Sequence, residues 1–306
     1  MQRGFPLALL PCICCPRDRG PLAPAGAPDG IWLEEGVVRC ARCGGDFAIR
    51  GGVLVLLDPH RLHPDSALEM KVRDARSAAL LDGLRKEWQS RFADATEVQP
   101  TLEAVDTQPG MMVCELGCGP GRYTLSLARQ AAAVVAVDFS EEGLRVLRTK
   151  VETEAPIALV QADVTQPYGT PGVFDRMLST LHSNLPDAAH RRQALRWMAD
   201  GLTPGGHVVV SMHHHSTRDV VTGTPPSGRY ADSGIFRYHM TRGESHAEAA
   251  AWFDHVTHRY IAVTVPGLSH RAVARAAARI PVVREALSSL FLAICAQPVA
   301  DAGGRA

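Results

Sequence analysis

Long apolar runs are missing from this chain. No stretch reaches the ~18 residues that a membrane-spanning helix requires. The apolar start, Phe5–Ile13, is short and broken by Pro6 and Pro11, which argues against a signal peptide. Charge of one sign is also missing. The formal net charge is +0 and there is no Lys/Arg run, so nothing in the charge pattern points to nucleic acid. An even spread of cysteines is absent too, which excludes the disulfide scaffold of a small secreted domain. Five of the eight cysteines, Cys12, Cys14, Cys15, Cys40 and Cys43, crowd into the front of the chain. That crowding looks like metal-ligand spacing in a reducing compartment. The expected location is therefore cytoplasmic.

At 306 residues the chain has room for one large domain or two unequal ones. Residues 1–60 are rich in Cys, Gly and Pro, with short β-like runs at Ile31–Cys40 and Gly52–Leu57. Residues 61–108 form a helical linker. Within it, Ser66–Phe92 carries Leu68, Val72, Ala75, Ala79, Leu80, Leu84 and Trp88 at nearly helical period, weakened at Gly83. From 109 to 306 strands and helices alternate. Strands are expected at Met111–Leu116, Ala133–Asp138, Ile157–Ala162, Phe174–Ser179, Gly206–Ser211, His258–Val265 and Phe291–Ala296. Helices are expected at Tyr123–Gln130, Glu141–Glu152, Ala188–Leu202, Thr241–Phe253 and Ala272–Leu290. This alternation predicts an α/β fold with a mostly parallel sheet.

One segment carries most of the chemistry: Glu115-Leu-Gly117-Cys118-Gly119-Pro-Gly121, between a strand and a helix. Glycines let backbone approach a ligand and allow positive φ in a tight turn. The helix start offers free N–H groups to a carboxylate or phosphate. The spacing is G-x-G-x-G, and Arg122 stands where a dinucleotide fingerprint has its third glycine. Asp138 ends the second strand, placed to accept hydrogen bonds from both hydroxyls of a ribose. Asp163 ends the third, placed to take an adenine amine.

With ELGCGPGR, AVDFS, QADV, FDRMLSTL and LTPGGHVVVS in that order, the chain resembles the class I S-adenosylmethionine (SAM)-dependent methyltransferases, in their ubiquinone/menaquinone-type branch. The resemblance covers about 110–212 and implies a Rossmann-like, seven-stranded, mostly parallel sheet with helices on both faces. It implies SAM as cofactor, held by Glu115, Gly117, Cys118, Gly119, Gly121, Tyr123, Asp138, Phe139, Asp163, Val164 and Ser179. Asp138 would hold the ribose, Phe139 would pack on the adenine and Asp163-Val164 would line it. Ser179 would lie near the methionine moiety.

The front segment holds two C-x-x-C pairs, Cys12/Cys15 and Cys40/Cys43, the spacing of a zinc ribbon. It also resembles the small zinc-ribbon-like domain that accompanies many methyltransferases. Cys40, Cys43, Gly44, Phe47, Ile49, Arg50, Gly52, Val53, Leu56 and Leu57 fit the second half of that pattern. The first half fits in another register, Cys15-Pro-Arg-Asp18, with Asp18 in place of a cysteine. Structural zinc is thus expected on Cys15, Cys40, Cys43 and either Cys12 or Asp18. The alternative is a metal-free β-ribbon.

His182, after the fourth strand, and His213 and His214, after the fifth, are the candidates for acid–base work on the methyl acceptor. Residues 221–240, with Tyr230, Phe236, Tyr238 and His239, read as a lid. The helices over 268–290 either cap the site or mediate a homodimer. The expected activity is methyl transfer to an O, N or C nucleophile of a small molecule, in quinone or secondary-metabolite biosynthesis. RNA base methylation is the second reading, although Ser179-Thr-Leu-His182 stands where many base-amine methylators carry Asn/Asp-Pro-Pro-Tyr/Phe. A non-catalytic SAM-binding scaffold is the third.

Overall fold

The computed structural model describes residues 4–28, 30–81, 91–151, 155–263 and 271–299. Residues 82–90 of the expected Ser66–Phe92 helix, Gly83 included, fall outside them, as do 268–270 of the expected cap.

The N-terminal segment contributes strands β1 (Leu22–Pro24), β2 (Gly36–Cys40), β3 (Asp46–Arg50) and β4 (Val53–Val55). Helix α1 (Pro64–Leu81) follows. Arg91–Ala93 and α2 (Gln99–Val105) flank a π-helical turn at Asp94–Val98. Then come β5 (Met112–Leu116), α3 (Thr124–Ala128), β6 (Ala133–Asp138), α4 (Glu141–Lys150), β7 (Ile157–Gln161) and β8 (Phe174–Ser179). They are followed by α5 (Ala188–Gly201), β9 (Leu202–His213) and α6 (Thr217–Val221). The hairpin β10 (Ser227–Arg229)/β11 (Phe236–Tyr238), α7 (Arg242–Ala249) and β12 (Phe253–Val263) come next. Helices α8 (Arg271–Ala278) and α9 (Pro281–Leu287) lead into β13 (Ser288–Pro298).

The seven strands of the Rossmann-like sheet stand in the order β12-β13-β9-β8-β5-β6-β7. β13 alone among them runs against its neighbours. The sheet does not stop at β7. β4 pairs parallel to β7 (Val53↔Leu159 to Val55↔Gln161), and β3, β2 and β1 continue beyond it, making eleven strands. A central parallel strand is covered on both faces and so reads as an unbroken apolar run. β6 (AVVAVD) and β7 (IALVQ) do so, with every residue buried. α4 follows β6 because Ser140 caps it, accepting from the Gly143 amide at 3.0 Å, with Glu141 and Glu142 in the first turn and Arg148 and Lys150 in the last.

The core forms two layers. On one face Leu127, Leu144 and Leu147 pack on the sheet; on the other Leu195, Met198, Phe174, Phe253 and Phe291 do. The second layer includes Phe5, Leu9, Leu10 and Cys12, so the N-terminal segment shares the main core. Among the described residues no helix is long and apolar enough to cross a membrane.

Candidate functional site

At the carboxyl ends of β5, β6 and β8 the chain opens a cleft of about 250 Å³. Its floor is the turn between β5 and α3. Gly117, Gly119 and Gly121 all have positive φ, at 73°, 48° and 90°. At Gly121 the requirement is double, because a Cβ there would lie 2.4 Å from Leu147 Cδ1. The Gly117 and Cys118 amides donate to the Val137 carbonyl at 2.8 and 3.2 Å, which ties the turn to β6.

Asp138 sits at the centre. The Gly119 amide donates to its Oδ2 at 2.8 Å and the Ser140 amide to its Oδ1 at 2.7 Å. Burial pushes the carboxyl up to about 6, against the pull of those two amides and of Arg73. Each oxygen keeps a lone pair beyond its amide bond, so a diol entering the cleft meets two acceptors. Phe139, Val164, Cys118, Tyr123 and Ser179 complete the walls. A glycine-floored cleft with a buried, amide-pinned carboxylate fits the adenosyl end of SAM.

Two expected cofactor residues lie elsewhere. Glu115 is fully buried beneath the turn, off the cleft wall. The Thr124 hydroxyl donates to its Oε2 at 2.6 Å, Oε1 has no partner among the described residues, and burial pushes the carboxyl up to about 8. Asp163 caps its own loop, accepting from the Thr165 amide (2.8 Å) and hydroxyl (2.7 Å). It faces a second groove, against Asp58–Arg61, leaving Val164 on the cleft side.

The three candidate histidines are separated. His182 lines the cleft just past β8 and is 2% exposed. Its Nε2 lies 3.1 Å from the Arg191 carbonyl, so Nε2 carries the hydrogen and Nδ1 is an acceptor without a partner among the described residues. Burial holds it neutral, at about 3. His213 does not line this cleft. It sits under the hairpin, its Nε2 3.1 Å from the Tyr230 hydroxyl and its ring stacked on His239 at 5.2 Å. His214 points to the opposite face, as the next residue along a strand must. There its Nδ1 meets the Ser288 hydroxyl at 2.8 Å and its ring packs on Tyr260 and Phe291, a structural placement.

Helix α1 supplies residues that the sequence reading missed. Glu69, Arg73 and Ser77, spaced i, i+4, i+8, line the cleft opposite the glycine turn. Asp74 Oδ1 accepts from the Ser140 hydroxyl (2.7 Å) and the Glu142 amide (3.2 Å), fastening α1 to the start of α4. Glu97 also lines the cleft and takes the Arg122 fork at 2.9 and 3.2 Å and the Tyr123 hydroxyl at 3.2 Å. The polar stripe of α1, opposite its apolar one, was the available signal. The hairpin is clasped to the same helix through Arg229–Asp65 (2.7 Å) and Arg76–Asp232 (2.9 Å).

In the N-terminal segment, ligand atoms of Cys15, Asp18, Cys40 and Cys43 all lie within 4.8 Å of one another. Cys15 Sγ and Cys43 Sγ are 3.7 Å apart. Two thiolates at ~2.3 Å from a tetrahedral zinc are separated by about 3.8 Å, so the spacing fits. Amides of Arg17, Arg42 and Cys43 point at the sulfurs of Cys15 and Cys40 at 3.4–3.5 Å, the pattern that stabilises thiolates. Cys12 is not in the cluster. It ends a 3-10 turn, Leu7–Cys12, and is buried in the apolar core, where desolvation raises its thiol. Asp18 takes the fourth position, three residues after Cys15 as Cys43 is after Cys40.

This segment touches the cofactor cleft through β7. The Leu56 and Leu57 amides both donate to the Gln161 carbonyl (2.8 and 2.9 Å), and Gln161 Nε2 donates to the Phe139 carbonyl at 3.0 Å.

Residues 113–206 match the family model described as a methyltransferase domain. Over 110 residues the chain is 32% identical to a demethylmenaquinone methyltransferase of Clavibacter sepedonicus, covering 36% of this chain and 44% of that protein. It is 28% identical over 137 residues to a ubiquinone biosynthesis O-methyltransferase of Ralstonia nicotianae, covering 42% and 56%. The chain thus spans about half the length of these curated relatives. Among solved structures, the complex of the Haloferax volcanii Trm112 methyltransferase activator with a methyltransferase superposes with a TM-score of 0.51 at 18% identity, over 77% of this chain and 97% of that one. That likeness concerns the fold. The glycine turn, Asp138 and strands β6 to β8 all fall within the matched stretch, so the chain carries a methyltransferase domain over residues 113–206.

Proposed function

We propose that the protein transfers the methyl group of SAM to a nucleophile of a small acceptor, in quinone or secondary-metabolite biosynthesis in the cytoplasm. The observation that carries this reading is Asp138, a buried carboxylate with two lone pairs free for a ribose diol at the end of β6. The quinone assignment draws support from what the relatives are named for, demethylmenaquinone and ubiquinone methylation.

SAM supplies a methyl group on a sulfonium, open to in-line attack. Most of the rate enhancement then comes from holding the acceptor in line. In this reading Asp138 and the glycine turn fix the adenosyl end, and α1 with Arg73 closes the opposite wall. His182, kept in the Nε2–H tautomer by the Arg191 carbonyl, stays neutral and offers Nδ1 as a hydrogen-bond acceptor that orients the nucleophile, whose proton leaves to solvent. It is the one of the three candidate histidines on the cleft wall. Tyr230 of the hairpin loop and His213 beneath it would meet the acceptor's distal part. Zinc held by Cys15, Asp18, Cys40 and Cys43 is structural.

The test is native mass spectrometry of the full chain with SAM, S-adenosylhomocysteine and NAD, followed by tritium transfer from labelled SAM to a panel of phenols and quinols. One adenosyl ligand per chain and label in the organic phase are expected. NAD retention instead of SAM, or no label on any small acceptor, sinks the reading.

A further inference from the structure

Most large apolar side chains of this protein are covered. Eight are exposed among the described residues, and four of those share one corner: Val220 (61%), Val221 (81%), Ile280 (54%) and Val282 (77%). The first two stand on α6 and Val282 on α9, with Ile280 at its N-cap, and the two helices pack side by side. Arg218, Arg279 and Arg284 are exposed on the same two helices and the turn between α8 and α9. None of these guanidinium groups pairs with a carboxylate among the described residues. The corner also carries two carboxylates, which leaves these five groups with one net positive charge. Asp219 is tied to the amide and hydroxyl of Ser216, and Glu285 is exposed.

The position of the corner is fixed by topology. α6 leaves the carboxyl end of β9, and α9 runs straight into β13, whose Leu290 pairs with His213 at that same end. The patch therefore sits on the edge of the sheet where the glycine turn, Val164 and His182 open the cleft. Its apolar side chains are exposed. Exposed apolar side chains beside arginines that pair with no carboxylate among the described residues suit a fluid, anionic, apolar-cored surface. A two-fold contact between copies of the chain would set the same arginines against each other.

We propose that α6 and α9 dock the protein reversibly on an anionic lipid bilayer, with the four apolar side chains at the acyl boundary and the arginines among the headgroups. The mouth of the cleft is then turned toward the membrane, so an apolar acceptor can pass from lipid to site. The docking surface stands on its own observations; its use in delivering an acceptor rests on the proposed methyl transfer.

The experiment is co-sedimentation of the full chain with vesicles of phosphatidylcholine alone and with roughly one-third phosphatidylglycerol, without any methyl acceptor. Binding to the anionic vesicles and not the neutral ones is expected. Each arginine near such a surface is worth ~1 kcal/mol, or about fivefold. The double variant Arg279→Gln/Arg284→Gln should thus bind at least tenfold more weakly, and Val221→Glu/Val282→Glu should lose vesicle binding altogether. SAM affinity, read by calorimetry in solution, should stay unchanged in both. Failure of the wild type to bind anionic vesicles overturns the proposal, as does wild-type binding by the valine variant. A wild-type dimer in light scattering that the valine variant converts to monomer overturns it too, by giving the corner to a second copy. Loss of methyl transfer with vesicle binding intact would count against the proposed activity and leave the docking surface standing.

Discussion

Ionisation of Asp138 should govern how tightly SAM binds between pH 5 and 7. The carboxyl is 8% exposed and lies at about 6, raised by burial. Its value in the folded protein is above the ordinary 3.8, so its ionisation weighs against the ligand-free fold. The stability this group contributes is full below about pH 4 and is lost as pH rises through 6, by about 3 kcal/mol. Ribose hydroxyls donate to the charged form, so SAM binding drives the opposite way. Affinity should gain as pH rises through 6 and level off above 7. At pH 5 about a tenth of the groups are ionised, and Kd should be about tenfold weaker than at pH 7. Glu115, pushed up to about 8, stays protonated across this window. Asp138→Asn should flatten the profile. It replaces one of the two acceptor oxygens by an N–H₂ aimed at the Gly119 or Ser140 amide, which costs one hydrogen bond to a charged group worth ~1.5–3 kcal/mol, so Kd at neutral pH should weaken by roughly one to two decades. Isothermal titration calorimetry of SAM from pH 5 to 8 on both proteins is the assay. A flat wild-type profile, or an Asn variant that binds as tightly, would refute the assignment of Asp138 to the ribose.

Other consequences are open to measurement. Gly121→Ala sets a Cβ against Leu147 Cδ1 at a φ of 90°, and should cost about 2–4 kcal/mol in urea unfolding. An unchanged midpoint would show that the turn is looser than described. Cys43→Ser should reduce bound zinc, measured by inductively coupled plasma mass spectrometry, whereas Cys12→Ala should keep it at one per chain. The reverse outcome would restore Cys12 as a ligand in place of Asp18. Arg191 and Glu248 form a mostly buried pair at 2.8 Å joining α5 to α7. Glu248→Gln should destabilise by about 3 kcal/mol, and Arg191→Met/Glu248→Leu by clearly less, since the double change leaves no lone buried charge. Equal losses in thermal melts would dismiss the pair as a coupled unit.

Much of the fold was legible because its strands are short apolar runs. AVVAVD and IALVQ are buried on both faces, short and rich in β-branched residues. The glycine turn and Asp138 were legible for a chemical reason: close backbone approach and diol binding each demand a particular residue type. What stayed hidden depended on partners distant in sequence. The helical stripe of α1 announced a buried face but not that its other side, Glu69 and Arg73, would wall the cleft. The Gly52–Leu57 run, apolar at every position from Val53 on, carried the mark of a strand covered on both sides, yet nothing local named β7 as its neighbour. Cys12 matched the expected spacing, but the 3-10 turn ending there carries its thiol into the core, and Cys15-x-x-Asp18 forms the knuckle. His213 and His214 could have been told apart, because neighbours on a strand face opposite ways.

The pairing of β4 with β7 has a consequence for biosynthesis. Val53–Val55 leave the ribosome roughly a hundred residues before their partners Leu159–Gln161. Until those partners emerge, the early strand keeps an unpaired edge and a row of open amides. A metal clip on Cys15, Asp18, Cys40 and Cys43 would hold that nascent segment in shape while it waits. Zinc supply during translation, more than in the finished protein, would then set how many chains reach the native state.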